Sequence, residues 1–318
     1  MDNMRAVFLD LDTLDCGDLA LSELVSSVSE WQSYGATQAQ LTQARVQGAD
    51  IVISNKVVLD EAVFEKTPSL QLVCVAATGY NNVDLDAANR YGVTVCNARG
   101  YSTPSVVQHV FALLLSLCRQ LPQYQKTISD GRWQRSEQFC LLDFPMQELN
   151  GKTLGIIGYG ALGKEVARLA ECFGMRVLLA QRPGSAAQDR VPLHELLPQV
   201  DVLSLHCPLT LETKGLIGRA ELGLMKSSAL LINTARGGIV DEAALAQALC
   251  CGELAGAGID VLAEEPPLAS NPLLEKGIPN LIITPHTAWA SVQARQRLVE
   301  ELRLNIDAFQ QGKPRNVV

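Results

Sequence analysis

Three side chains in the second half of the chain, Arg236, one glutamate of the Glu264-Glu265 pair and His286, have the residue types of an acid–base site. A guanidinium is permanently charged and donates in a planar fork that matches carboxylates. A histidine exchanges protons near neutral pH, and a neighbouring carboxylate favours its charged form. Each of the three follows a short apolar run. The passages are Ile232-Asn233-Thr234-Ala235-Arg236-Gly237-Gly238, Gly258-Ile259-Asp260-Val261 with Glu264-Glu265-Pro266-Pro267, and Thr284-Pro285-His286-Thr287-Ala288. An Arg, a Glu and a His at successive strand ends read as an acid–base site.

A second constellation is built from glycine. Gly158-Tyr159-Gly160-Ala161-Leu162-Gly163 follows an apolar run and opens a helical one, and Gly174 then precedes another apolar run. This is the context of a dinucleotide fingerprint. Gly158 allows the tight turn, Gly160 lets a pyrophosphate approach the backbone, and Gly163 lets helix and strand pack closely. The next strand ends Ala180-Gln181-Arg182, with no carboxylate for the adenosine ribose. A carboxylate would repel a 2′-phosphate and a guanidinium suits one, so the expected cofactor is NADP or NAD with a lean to NADP. Ligands of open α/β sheets lie beyond the carboxyl ends of strands. The expected cofactor contacts are therefore Gly158, Gly160, Ala161, Leu162, Gly163, Gln181, Arg182, Cys207, Pro208, Thr213, Thr234, Ala235 and Asp260.

These residues need two α/β units to hold them. The chain has 318 residues, enough for two cores. Strands are predicted at 6–9, 51–54, 72–76 and 93–96, with a helix over 37–47. Strands separated by helices argue for a parallel sheet. Ser102 or Thr103 is placed to cap a helix with Pro104 in its first turn. Its apolar period runs over 106–121 and is expected to end at Leu121-Pro122. Residues 130–147 lack periodicity and read as an arm with exposed Trp133, Phe139 and Phe144. Six further strands are predicted at 153–158, 176–180, 202–205, 229–233, 256–261 and 281–284, and a last helix over 291–311.

The chain resembles the D-isomer-specific 2-hydroxyacid dehydrogenase family over essentially its full length. The fingerprint, Thr234-Ala235-Arg236-Gly237-Gly238, Glu265-Pro266 and Thr284-Pro285-His286 carry the likeness. Ala77-Thr78-Gly79-Tyr80-Asn81-Asn82-Val83-Asp84 and the stretch from Asn97 to Val106 bring it nearest the glycerate dehydrogenase/hydroxypyruvate reductase branch. The resemblance implies two Rossmann-like domains with parallel sheets, the substrate domain discontinuous at 1–100 and 286–318 and the dinucleotide domain at 101–285. It implies hydride transfer between NAD(P)H and a small 2-keto acid, foremost hydroxypyruvate/D-glycerate, with glyoxylate/glycolate beside it. Arg236 would hold the substrate carboxylate, His286 would be the general acid, and Glu265, the carboxylate directly before the proline, would favour the protonated histidine. Thr78 and Gly79 would offer backbone N–H groups to the carboxylate from the other domain, and Asp260 would bind the carboxamide. A homodimer through the cofactor domain is also implied.

Other features set limits. A net charge of -8 with no Lys/Arg cluster argues against nucleic acid. Nothing at the start of the chain reads as a secretory signal and no apolar run spans a bilayer, so a cytoplasmic protein is expected. Nine cysteines without CxxC spacing suggest reduced, mostly buried thiols and no metal site. His206 reads as cofactor-side or structural, His109 as packed or hydrogen-bonded at the domain junction, and His194 as exposed. Asp10 and Asp12 form a DxD as in some phosphatases, but no second phosphatase element follows. The alternative function, from a different class, is a corepressor-like protein of the same fold that senses dinucleotide without turnover.

Overall fold

The computed structural model describes residues 4–182 and 190–318, and the chain divides into two compact units, Met1–Ser102 with Trp289–Val318 and Thr103–Ala288. The divisions fall after Ser102 and Ala288, against 100 and 285 from sequence.

In the first unit a five-stranded parallel sheet runs in the order β2-β1-β3-β4-β5, from β1 (Arg5–Phe8), β2 (Glu30–Ser33), β3 (Ile51–Ser54), β4 (Leu72–Val75) and β5 (Thr94–Cys96). Side chains alternate across a strand, which gives the sheet a core on each face. Ala6, Phe8, Ile51, Ile53, Leu72 and Cys74 join Leu298, Leu302 and Ile306 of the Val292–Gln310 helix. Val7, Leu9, Val52, Val73 and Val75 meet Val46, Phe64 and Ala87 on the other face. Strand β2 was not legible in sequence. It is a polar edge strand, Glu-Trp-Gln-Ser, paired to β1 alone, and its backbone rather than an apolar run makes it a strand.

In the second unit a six-stranded parallel sheet runs β11-β10-β9-β8-β6-β7. Its strands are β6 (Thr153–Ile157), β7 (Arg176–Leu179), β8 (Val202–Leu205), β9 (Leu230–Asn233), β10 (Gly256–Ile259) and β11 (Leu281–Ile283). Leu154, Ile156, Val202 and Ile232 pack on Val110, Phe111 and Leu114 of the Thr103–Cys118 helix and on Val166 and Ala170 of the Ala161–Cys172 helix. Leu203, Leu205, Leu231 and Ile259 face Leu245 and Leu249 of the Glu242–Cys250 helix.

Three expectations need correction. The first long helix ends at Cys118, not at Leu121-Pro122. Gln120 takes a left-handed conformation and a new helix starts at Leu121, with Pro122 in its first turn, where its missing N–H costs nothing. Within residues 130–147, Trp133 and Phe139 are exposed, but Phe144 is half-buried edge-on against Tyr124. Only four of the nine cysteines, Cys74, Cys96, Cys118 and Cys207, are buried, and Cys16, Cys172, Cys250 and Cys251 are exposed.

Candidate functional site

The order of the second sheet reverses between β6 and β8, and a ligand crevice is expected at that switch point. Gly158 follows β6 with a φ of +93°, where a side chain is strained in any surroundings. A Cβ there would also sit 2.5 Å from Cys207 N and from the carbonyl of His206, the backbone that follows β8. The glycine is therefore required twice over. A Cβ on Gly163 would meet the Gly158 carbonyl, whereas Gly160 has open space around it. Gly160 is the N-cap of the Ala161–Cys172 helix and supplies no side-chain cap. The first N–H groups of that helix face outward with its positive dipole end, as a pyrophosphate requires.

The loops beyond the neighbouring strands surround this turn. Cys207 is buried, and Pro208 O accepts from Thr213 Oγ1 at 2.7 Å, which also accepts from Thr210 N–H at 2.7 Å. One hydroxyl thus closes the loop after β8. After β9, Asn233 pins the turn that carries Thr234, Ala235 and Arg236: its Oδ1 accepts from Ala235 N–H at 3.0 Å and its Nδ2 donates to Arg236 O at 3.0 Å. Thr234 Oγ1 and His206 Nδ1 are buried without a hydrogen-bond partner among the described residues. Buried polar atoms are normally paired, so these two orphans and the open backbone at Gly160 fit a bound dinucleotide. His206 Nε2 lies 2.8 Å from Ser204 Oγ, and burial pushes the imidazole down to about 4, which keeps it neutral. At the end of β7, Gln181 N–H donates to Val191 O at 2.8 Å and Arg182 is exposed.

The acid–base residues are assembled by three loops. His286 Nδ1 lies 2.6 Å from Glu265 Oε2. The other oxygen of Glu265 accepts from Leu262 N–H at 2.8 Å, which fixes the carboxylate's orientation. Glu264 makes no such contact among the described residues. Arg236 is half-buried, and its Nη1 donates to Ala235 O at 2.7 Å. A Cβ on the next residue, Gly237, would strike the Leu262 carbonyl, so the Arg236 turn and the Glu265 loop touch through bare backbone. His286 has a φ of +54°, and its N–H donates to Asp260 O at 2.8 Å.

Asp260 is 2% exposed. Its carboxylate accepts from Thr284 Oγ1 at 2.5 Å and from the N–H groups of Thr287 and Ala288 at 2.9 Å each. Sequence reasoning missed this clamp, because nothing in the spacing pairs Asp260 with the segment ahead of it. It also missed Glu242, which accepts from Ala263 N–H at 2.6 Å and from Asn271 Nδ2 at 2.7 Å and so supports the Glu265 loop.

In the first unit, Thr78 and Gly79 follow β4. Thr78 Oγ1 donates to Ala98 O at 2.9 Å, and Asn97 Nδ2 donates to Thr78 O at 2.7 Å. The N–H groups of Thr78 and Gly79 have no protein acceptor among the described residues. Asp10, from the DxD, is 3% exposed and accepts from the N–H groups of Asn55, Lys56 and Val57 at 2.9, 2.7 and 3.3 Å. It is an anchor rather than a nucleophile.

Comparison with known proteins places this architecture. Residues 111–288 match the family model described as D-isomer specific 2-hydroxyacid dehydrogenase, NAD binding domain. The chain is 46% identical over 316 residues to a glycerate dehydrogenase of Methylorubrum extorquens, covering 99% of this chain and 98% of that protein. It is 38% identical over 322 residues to a hydroxypyruvate reductase of Blautia hydrogenotrophica, covering 99% of each. Its fold superposes with a TM-score of 0.83 and 30% identity on the NADPH-dependent glyoxylate/hydroxypyruvate reductase of Sinorhizobium meliloti solved with NADP and malonate, covering 100% of this chain and 97% of that one.

Proposed function

The chain belongs to the D-isomer specific 2-hydroxyacid dehydrogenase family, and on that premise we propose that it is an NAD(P)-dependent reductase of hydroxypyruvate and glyoxylate. The observation that carries this reading is the 2.6 Å pair of His286 and Glu265, with the second carboxylate oxygen of Glu265 held by Leu262 N–H. Relatives named glycerate dehydrogenase and hydroxypyruvate reductase support the substrate class, and the dinucleotide-sensing alternative is not favoured.

The site residues have distinct work. The Gly158–Gly163 turn and the loops holding Cys207, Pro208, Thr213, Thr234 and Ala235 would hold the dinucleotide, which when bound supplies the hydride. Arg236 would grip the substrate carboxylate and draw charge toward the keto oxygen. With Nδ1 of His286 engaged by Glu265, Nε2 is the nitrogen left to give a proton to that oxygen. Thr78 and Gly79 offer N–H groups of the kind a carboxylate accepts. The absence of a carboxylate at Gln181-Arg182 supports NADP over NAD.

The exposed Trp133, Phe139, Leu142 and Met146 supply an apolar surface suited to a homodimer, which light scattering on the purified protein would test. No helix among the described residues is long and apolar enough to cross a membrane. The free cysteines support the cytoplasm as its compartment.

The deciding experiment is initial-rate absorbance with hydroxypyruvate, glyoxylate and pyruvate against NADH and NADPH. Hydroxypyruvate reduction that falls by about 10²–10⁴ in His286→Ala is expected. Cofactor binding without turnover of any keto acid would overturn the reading in favour of dinucleotide sensing.

A further inference from the structure

His109 lies on the Thr103–Cys118 helix, and its Nε2 is 2.9 Å from Thr284 Oγ1 and 3.5 Å from Asp260 Oδ1. Thr284 Oγ1 is itself 2.5 Å from Asp260 Oδ1. A hydroxyl has one proton, and an ionised carboxylate can only accept. Thr284 therefore donates to Asp260, and the contact with His109 runs from Nε2–H to Thr284 Oγ1. Both the Nε2–H neutral tautomer and the imidazolium supply that proton, so the chain of donors does not depend on the charge of His109. Among the described residues, the titratable group within ion-pairing distance of Asp260 is His109, and that of His286 is Glu265.

The far end of the network is the segment that carries His286. Asp260 takes the N–H groups of Thr287 and Ala288 on its carboxylate and that of His286 on its carbonyl. Ser105, from the same helix as His109, donates to Ala288 O at 2.7 Å. His286 thus sits within residues 284–288, tied to one buried carboxylate and one helix. Its φ of +54° is a conformation that a non-glycine residue keeps only where its neighbours hold it.

We propose that His109 is a positioning residue for the proton donor: through Thr284 and Asp260 it holds His286 in register with Glu265. The inference rests on the reading of His286 as the donor. Without the Nε2–H of His109, Thr284 and the Asp260 carboxylate lose their orienting partner, the 284–288 segment loosens, and His286 moves off the Glu265 carboxylate that favours its protonated form.

The test is the pH profile of kcat/KM for hydroxypyruvate reduction, run from mildly acidic to alkaline pH. Reduction takes up a proton from His286, so the rate falls as pH rises. His109→Leu is expected to lower kcat about tenfold or more and to move the alkaline fall to lower pH. His109→Gln, whose amide N–H can replace Nε2–H, returns the fall toward its wild-type place. Thr284→Val keeps the shape but removes the link, and shifts the fall as His109→Leu does; it decides the matter if His109→Leu does not fold. A fall that stays in place in the folded Leu or Val variant, or a Gln variant no better than Leu, overturns the proposal. His286→Asn separates the two readings. If it keeps the wild-type fall, the donor assignment fails and the positioning role fails with it. If it abolishes the fall while Thr284→Val leaves the fall in place, the positioning role fails and the donor assignment stands.

Discussion

The two sheets share the strand order 2-1-3-4-5, extended by one strand in the second, yet their switch points are built in opposite ways. Between β6 and β8 the crevice is left open by glycine: Gly158 lies against the backbone of His206 and Cys207, and Gly160 faces empty space. Between β1 and β3 the crevice is closed by a side chain. Asp10 lies across it and accepts from the N–H groups of Asn55, Lys56 and Val57. Backbone N–H groups at a switch point are an anion site in either case. In the first unit the protein's own carboxylate answers them, while in the second no side chain caps the helix that opens at Gly160, as the proposed dinucleotide site requires. One fold serves as anchor and as binding site according to a single side chain.

Gly158→Val puts the contrast under the most strain. The substitution forces a β-branched residue to a φ of +93° and against the His206 carbonyl, at a cost on the order of 3–5 kcal/mol. Loss of nicotinamide fluorescence enhancement on titration is the expected outcome, and a variant that binds cofactor normally would show the open crevice to be dispensable. The corresponding insult to the closed crevice is Asp10→Ala. Three N–H groups would lose a charged acceptor, and urea unfolding is expected to register a loss of roughly 3 kcal/mol, with cofactor affinity unchanged. A fall in cofactor affinity with no change in stability would reverse the assigned roles.

The open crevice also has a signature in pH. His206 takes its proton near 6.5 when unfolded but only near 4 when folded, because its burial disfavours the charge. Its contribution to stability is therefore whole above pH 6.5 and is lost as pH falls toward 4. Between neutral pH and pH 5 the wild type should lose about 2 kcal/mol more than His206→Gln in urea titrations. Equal losses in the two proteins would mean that the imidazole is not sealed. The smallest effect is at the rim of the crevice, where Arg182→Ala should reduce the preference for NADPH over NADH by about tenfold. An unaltered ratio would place the 2′-phosphate elsewhere.

Much of the fold was legible because the inner strands of each unit are buried on both faces and read as continuous apolar runs, such as Ile51–Ser54 and Leu230–Asn233. The fingerprint was legible because glycine has few reasons to recur at that spacing between a strand and a helix. Strand β2 was not, since an edge strand needs only backbone pairing and shows no hydrophobic pattern. The end of the first long helix was misread for a related reason: Pro122 signals a boundary but not which side of it the helix lies on.

The sequence by itself determined the two α/β units, the dinucleotide turn and the residue types available for acid–base chemistry, because all of these rest on local pattern and on the chemistry of single side chains. Only the tertiary structure decided which groups answer one another. It set the second carboxylate oxygen of Glu265 on Leu262 N–H, gave Asp10 to a backbone turn and Asp260 to the 284–288 segment, and joined His109 to Thr284 across 175 residues. A hydrogen bond demands placement within a few tenths of an ångström, and residues far apart in the chain reach that placement only when the packing of strands and helices has brought them together.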